Sequence, residues 1–327
     1  MAKPKYLVVV TAAAAAALLL TACGSSGSSG TTAASTTAPS PAASTAASPA
    51  VSAAAIPVPA VSYDATLHNE LPASIKQSGT LSIDVFSNPP YIVVGQNNQV
   101  TGIGTQVFSA LGTLLGLKIQ YVPADGLAAA KLGVQSGRTD VAFGPFADNA
   151  TIESDFNDID WIGVGIALMY PKSAPVATNV LDLCGKRVAS LTGSVPQVQQ
   201  IALFDGLCAK AGRPDLKTSF YPQYSDMWLG VESGKADFGQ TGSFQAVVFA
   251  EENSNLRVFN IPRTIIPTIL CGNVVLKSDT ALSQVYLAAM KQLWALGVPQ
   301  ALMTNGGINK LDIPEGVSYD QASTVGR

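Results

Sequence analysis

The chain writes nearly the same nine residues twice: "LGVQSGRTD" from Leu132 and "LGVESGKAD" from Leu229. Six of the nine letters are identical, and the changes Gln135 to Glu232 and Arg138 to Lys235 keep polarity or charge. Each copy closes a stretch of helical character, turns at a glycine (Gly137, Gly234) and runs into an apolar segment, "VAFGPF" or "FGQTGSF". A helix stopped by a glycine in the left-handed region and followed by a short strand accounts for that pattern. The repeat is therefore read as a duplicated helix–strand unit, and a duplicated unit calls for two similar lobes.

The alternation around each copy supports two lobes. Strands are expected at 80–86, 118–122 and 140–146, with helices at 104–116 and 126–137 between them. The pattern restarts at 186–193 and continues through a helix near 195–211, a strand at 218–222, a helix near 225–233 and a strand at 237–242. A helix near 243–251 and a strand at 256–262 complete the second round. Apolar strands alternating with helices predict an α/β fold, each lobe a mostly parallel sheet flanked by helices. The last long helix, 280–297, repeats Leu282, Val285, Tyr286, Ala289, Leu293 and Leu296 at helical spacing. Ligands of open α/β sheets bind at the carboxyl ends of the strands, so a cleft between the lobes is expected there.

The amino-terminal end reads differently. Lys3 and Lys5 precede an apolar run from Tyr6 to Leu20 and then "LTAC", the pattern of a secretory signal rather than a spanning helix. A cut before Cys23 resembles the bacterial lipoprotein signal, in which that thiol receives lipid, so 1–23 is expected to be a lipoprotein signal with Cys23 lipidated. Residues 24–60 are almost wholly Ser, Thr, Ala, Gly and Pro. Such a segment buries too little to fold and is expected to be a disordered tether, with a reach of roughly 30 to 35 Å.

Composition and motifs exclude several functions. With 47% hydrophobic residues, 13% charged residues and a net charge of −3, no nucleic-acid partner is expected. The single histidine, His68, has no nucleophile or metal-ligand cluster near it in the sequence. Cys184, Cys208 and Cys271 lack zinc spacing, and neither a metal nor a cofactor is expected. For an exported chain, Cys184 and Cys208 can instead close a disulfide, worth about 3 to 4 kcal/mol on the chain-entropy model. Cys271, in an apolar run, is then a buried inert thiol.

The segments "LPASIKQSGTLSIDVFSNPPYIV", "TGIGTQVFSALGTLLGLKIQYVP", "LGVQSGRTDVAFGPF", "LCGKRVASLTGS" and "LGVESGKADFGQTG", in this order, resemble the extracellular solute-binding protein family 3. These are the polar amino-acid-type binding proteins of ABC importers. The likeness spans about residues 70 to 312. It implies a two-lobed, periplasmic-binding-protein-like (type II) fold with two hinge crossings, near 168–178 and 262–272. Lobe 1 would hold 61–172 and 268–327, and lobe 2 would hold 173–267. It implies a monomer that delivers a small solute to an ABC permease from the extracellular face of the membrane, touching that membrane through its lipid alone. An enzyme on the same fold, of dehydratase or cell-wall lyase type, and a ligand-sensing surface lipoprotein are the alternatives. The first needs a placed acid or base, which the sequence does not offer.

Three positions depart from the family's pattern. Ser154 stands where an arginine would clasp a ligand carboxylate, Thr241 or Gly242 where an aspartate would meet an ammonium, and Gly104 where an acid often follows the helix start. The expected cleft offers Tyr91, Phe143, Phe146 and Tyr224 as aromatic faces. Gly144, Gly193 and Thr241 add small or polar wall, and Ser194 a hydroxyl at a helix start. Asp125 and Asp148 are candidate partners for a cationic ligand. The departures predict weak binding of ordinary zwitterionic amino acids and a preference for a neutral or singly charged, partly apolar solute.

Overall fold

The computed structural model describes residues 55–321. The expected signal, Cys23 and most of the tether lie outside the described residues.

Two short helices, α1 (Ala65–Glu70) and α2 (Ala73–Ser78), lead into β1 (Thr80–Val85) and a small hairpin of β2 (Val93–Val94) and β3 (Val100–Thr101). Then come α3 (Ile103–Leu115), β4 (Lys118–Pro123), α4 (Leu127–Gln135), β5 (Val141–Ala147), α5 (Ala150–Asp155) and β6 (Phe156–Val164). The second lobe holds β7 (Ile166–Pro171), β8 (Arg187–Leu191), α6 (Val195–Lys210), β9 (Lys217–Tyr221), α7 (Tyr224–Glu232), β10 (Phe238–Gly242), α8 (Ser243–Glu252) and β11 (Leu256–Asn260). The chain returns through β12 (Ile269–Leu276), α9 (Thr280–Ala295), α10 (Val298–Asn305) and β13 (Ser318–Tyr319).

Lobe 1 is a sheet of order β13-β6-β12-β5-β1-β4, and lobe 2 a sheet of order β11-β7-β10-β8-β9. Each has a parallel trio around its first strand: β1 between β4 and β5, and β8 between β9 and β10. Beside each trio an antiparallel strand enters from the crossing, β12 against β5 and β7 against β10. The sheets are thus mixed, because a strand arriving from the other lobe enters without a crossover helix and runs antiparallel. The first crossing falls at Gly165, between β6 and β7, which moves Ile166–Pro171 into lobe 2 from the lobe 1 expected for it. "DWIGVGIALMYPK" stays extended throughout, so no turn residue marks the exchange.

The nine-residue repeat does the same work in each lobe. Gly133 and Gly230 leave room for a polar group of a neighbouring strand: a Cβ would overlap Asp84 Oδ2 in the first and lie 2.6 Å from Tyr221 Oη in the second. Val134 and Val231 are buried, and Gly137 and Gly234 turn the chain at φ +70° and +72°. Asp140 then accepts from Ser82 N at 2.7 Å and Ser82 Oγ at 2.5 Å, and Asp237 from Arg187 N at 2.8 Å. Each aspartate ties the end of its unit to the first strand of the lobe's trio. The exposed leucines at the head of the repeat, Leu132 and Leu229, are both 62% accessible.

The lobe 1 core stacks Phe143 on Trp161 (centroids 5.3 Å apart) with Phe108 edge-on at 4.9 Å. Trp161 Nε1 donates to the buried Asn273 Oδ1 at 2.7 Å, so the indole is buried without an orphaned donor. From α9, Leu282, Val285, Tyr286, Ala289 and Leu293 join this core; Leu296, expected with them, caps the helix and is exposed. Fully burying each large apolar side chain contributes about 1.5 to 3 kcal/mol. Cys184 and Cys208 form a disulfide, which pins α6 to the segment before β8, and Cys271 is buried and free. Within the stretch expected as tether, Ile56 exchanges two hydrogen bonds with the Asn305 side chain, 2.7 and 2.8 Å, so its end is fastened to α10. Among the described residues no helix is long and apolar enough to cross a membrane.

Candidate functional site

Between the lobes lies a cavity of about 80 Å³. Its walls are the carboxyl ends of β5 and β10, the turn after β8, and the amino-terminal turns of α4, α6, α7 and α8. Backbone N–H groups at such turns lack helical partners, so they face the space where a solute would lie.

Lobe 1 presents Tyr91 from the loop after β1. Gly104 N donates to Tyr91 O at 2.9 Å, and Gly102, at φ +119°, brings the chain so close that any Cβ would overlap that carbonyl. Phe86, Phe146 and Leu127 add apolar wall, and Asn88 and Asn149 add amides. Lobe 2 presents Gly193 and Ser194 at the start of α6, Tyr224 at the start of α7, and Thr241 at the end of β10. Ser194 makes no side-chain capping bond, so its hydroxyl is not spent on its own helix. Tyr224 stacks on Trp228 at 6.1 Å, and burial pushes the phenols of Tyr91 and Tyr224 up from their usual range.

Six of the expected wall residues therefore line the cavity: Tyr91, Phe146, Gly193, Ser194, Tyr224 and Thr241. Phe143 and Gly144 do not. Phe143 is wholly buried in the aromatic core, because its strand position turns it to the α3 side of the sheet. Gly144 stands behind the wall: a Cβ there would overlap the Phe86 ring, and its carbonyl accepts from Asn88 Nδ2. Ser154 is exposed and donates to Thr151 O at 2.8 Å, away from the cavity. His68 also lies elsewhere, with Nδ1 2.7 Å from Leu115 O, and packs edge-on against Tyr63.

A run of buried glutamines, not expected from the sequence, also lines the cavity. Gln197 Oε1 accepts from Leu191 N at 2.5 Å, Gln197 Nε2 donates to Gln240 O at 3.3 Å, and Gln240 Nε2 donates to Gln200. Ser190 Oγ donates to Gln240 Oε1 at 2.9 Å. A glutamine inside the apolar strand "DFGQTG" was the available signal, since a buried amide must find partners.

The two expected acidic partners also lie outside the cavity lining. Asp125 Oδ1 accepts from Gln223 Nε2 at 3.3 Å across the cleft mouth, where Lys131 Nζ also reaches Gly193 O at 3.4 Å. Asp148 is buried beside Asp158 and Asp160. Burial and then Glu153 push its carboxyl up to about 7, and burial and then Asp148 push Asp160 up to about 8. Asp158 is raised well above the usual range by burial and Asp160.

Asp312 is the one charged residue of the lining, and it sits at the hinge. Its Oδ1 accepts from Gly165 N at 3.0 Å and from Arg263 Nη2 at 2.7 Å. Arg263 also donates to Thr268. Both crossings are thus tied to one carboxylate.

No known family profile matches the chain. The arginine-binding protein ArgT of Corynebacterium glutamicum is 21% identical over 252 residues, covering 77% of this chain and 82% of that protein. Among solved structures, a mutant of the arginine-binding protein ArgBP of T. maritima aligns with a TM-score of 0.61 at 19% identity, covering 72% of this chain and 98% of that one. An ancestral arginine-binding protein bound to glutamine gives 0.61 at 19%, covering 71% and 99%. The amino-acid ABC transporter substrate-binding protein AbpA of Streptococcus pneumoniae, bound to L-arginine, gives 0.60 at 20%, covering 74% and 99%. The two-lobed α/β fold is that of these proteins, which are substrate-binding proteins and not enzymes.

Proposed function

We propose that this chain, sharing the fold of the substrate-binding proteins of amino-acid ABC transporters, is itself the solute-binding component of an ABC importer. It works as a monomer, closes on a small solute and hands it to a membrane permease. The observation that carries this reading is the cavity between the lobes, walled by strand ends and helix starts of both. A solute touching both lobes favours the closed arrangement through contacts that the open one lacks. Tyr91, Phe146 and Tyr224 cover its apolar parts, while Gly193, Ser194 and Thr241 meet its polar ones.

Small-angle scattering with and without solute tests the reading, after a thermal screen has found the solute. At 100 times its dissociation constant a solute adds about 2.7 kcal/mol of stability, and the radius of gyration should fall with it. A tight solute that leaves the radius unchanged would place binding outside the cleft.

Lipid at Cys23 holds the protein at the extracellular face of the cell membrane, on the strength of "LTAC" and the uncharged stretch after it. Cys23→Ala should release the protein or leave an uncleaved precursor. Mature protein still bound to the membrane would refute the anchor.

A further inference from the structure

The cavity offers its occupant no free charge. Asp312 is the one charged residue of the lining, and its Oδ1 already accepts from Arg263 and from Gly165 N. The other polar liners are amides, hydroxyls and the Cys271 thiol. A carboxylate enclosed here would lose water and meet no counter-ion, and an ammonium would have to share Asp312 with Arg263.

Two residues of the lining also carry a buried amide atom without a partner. Asn88 Nδ2 donates to Gly144 O, which leaves Asn88 Oδ1 without a donor; Gln245 Oε1 accepts from Thr241 Oγ1, which leaves Gln245 Nε2 without an acceptor. The residues are 6% and 3% exposed, so water from outside does not supply what is missing. One orphan is an acceptor on lobe 1 and the other a donor on lobe 2. A buried polar group without a partner is costly, and an occupant that satisfies both relieves that cost only when the lobes are together.

We propose that the occupant is a compact, uncharged solute of the amide class, whose carbonyl accepts from Gln245 Nε2 and whose N–H donates to Asn88 Oδ1. The inference rests on the cleft being the solute site proposed above. The neutral glutamine network at the cavity fits it, because Gln197 and Gln240 spend both amide ends and Gln200 its oxygen on neighbours, so the network presents dipoles rather than ions. Tyr91 and Tyr224 enclose the apolar remainder.

Two measurements on the full chain test it. In the first, purified protein is dialysed against yeast extract, washed and denatured, and the released solutes are identified by mass spectrometry. An enriched solute that is uncharged at pH 7 is expected. Enrichment of a zwitterion or an ion would overturn this inference and leave the binding-protein reading standing, whereas enrichment of nothing would count against both. In the second, calorimetry compares N-acetyl-L-alaninamide and N-acetyl-L-prolinamide with free L-alanine, L-proline and L-arginine. Binding at least tenfold tighter for the capped compounds supports the inference, and tighter binding of a free amino acid overturns it. Gln245→Met, with its urea midpoint followed in parallel, should weaken the preferred compound about tenfold; a folded variant that binds it like the parent chain refutes the assigned donor.

Discussion

Gly104 is buried beside Phe143, whose Cε1 would lie 2.6 Å from any Cβ at this position, with Tyr91 O at 3.1 Å. Both neighbours are held, the ring by its stack on Trp161 and the carbonyl by the amide of Gly104 itself. Gly104→Ala should therefore lower stability by about 1 to 3 kcal/mol through overpacking, read as a drop in urea midpoint at unchanged slope. It should also weaken solute binding, because the displaced carbonyl belongs to Tyr91. Tyr91 was legible in the sequence because two prolines precede it, and a rigid loop presents its side chain outward. Asn88, Gln197 and Gln245 were not. A glutamine in the first turn of a helix reads like any solvated polar residue, and only its neighbours in space reveal that it is buried.

At the level of elements, the nine-residue repeat makes a matched pair of predictions. Asp140 and Asp237 each accept a backbone N–H from the first strand of their trio, and hydrogen bonds to a charged group contribute about 1.5 to 3 kcal/mol. Asp140→Ala and Asp237→Ala should each cost an amount in that range, the second less because its bond to Arg187 N is exposed whereas that of Asp140 to Ser82 N is part-buried. Chemical denaturation of the two variants checks both the loss and its order. The repeat and the strand–helix alternation were readable because each unit satisfies its own burial and turn geometry locally. The crossing at Gly165 was not, because β6 and β7 are both fully extended and the change of partner sheet leaves no local trace.

A second element-level prediction concerns β5, β6 and the segment around β13, which enclose Asp148, Asp158 and Asp160 with Glu153 and Asp320 nearby. Lys277 lies beside this group and pairs with Asp320 at 2.6 Å. In the unfolded chain these carboxyls ionise near 3.8, whereas in the fold Asp148 holds its proton to about 7 and Asp160 to about 8. Between those limits the unfolded chain binds fewer protons than the folded one, so stability falls as pH rises from about 4 to 8. Melting temperature should decline across that range. Asp160→Asn should flatten the decline, with its largest gain at pH 8 and little gain at pH 4.

For the whole molecule, Asp312 gathers the first crossing through Gly165 and the second through Arg263. A door hung on two separate straps can swing and also rack sideways, whereas straps fastened to a common pin allow the swing alone. Lobe motion in this protein should therefore follow a single coordinate, and Asp312→Asn, which weakens the hold on Arg263, should free the sideways component. Leu132 and Leu229 supply the reporters, since each heads its copy of the repeat, one on either lobe, and is exposed enough to carry a spin label in place of leucine. Electron–electron distance measurements between cysteines placed there should give a narrow distribution in the parent chain and a broader one in Asp312→Asn. Equal widths would mean that the pin does not guide the swing. If the proposed permease receives the solute, a guided swing would bring both lobe surfaces to it in one fixed pose, and the hand-over could be timed by closure alone.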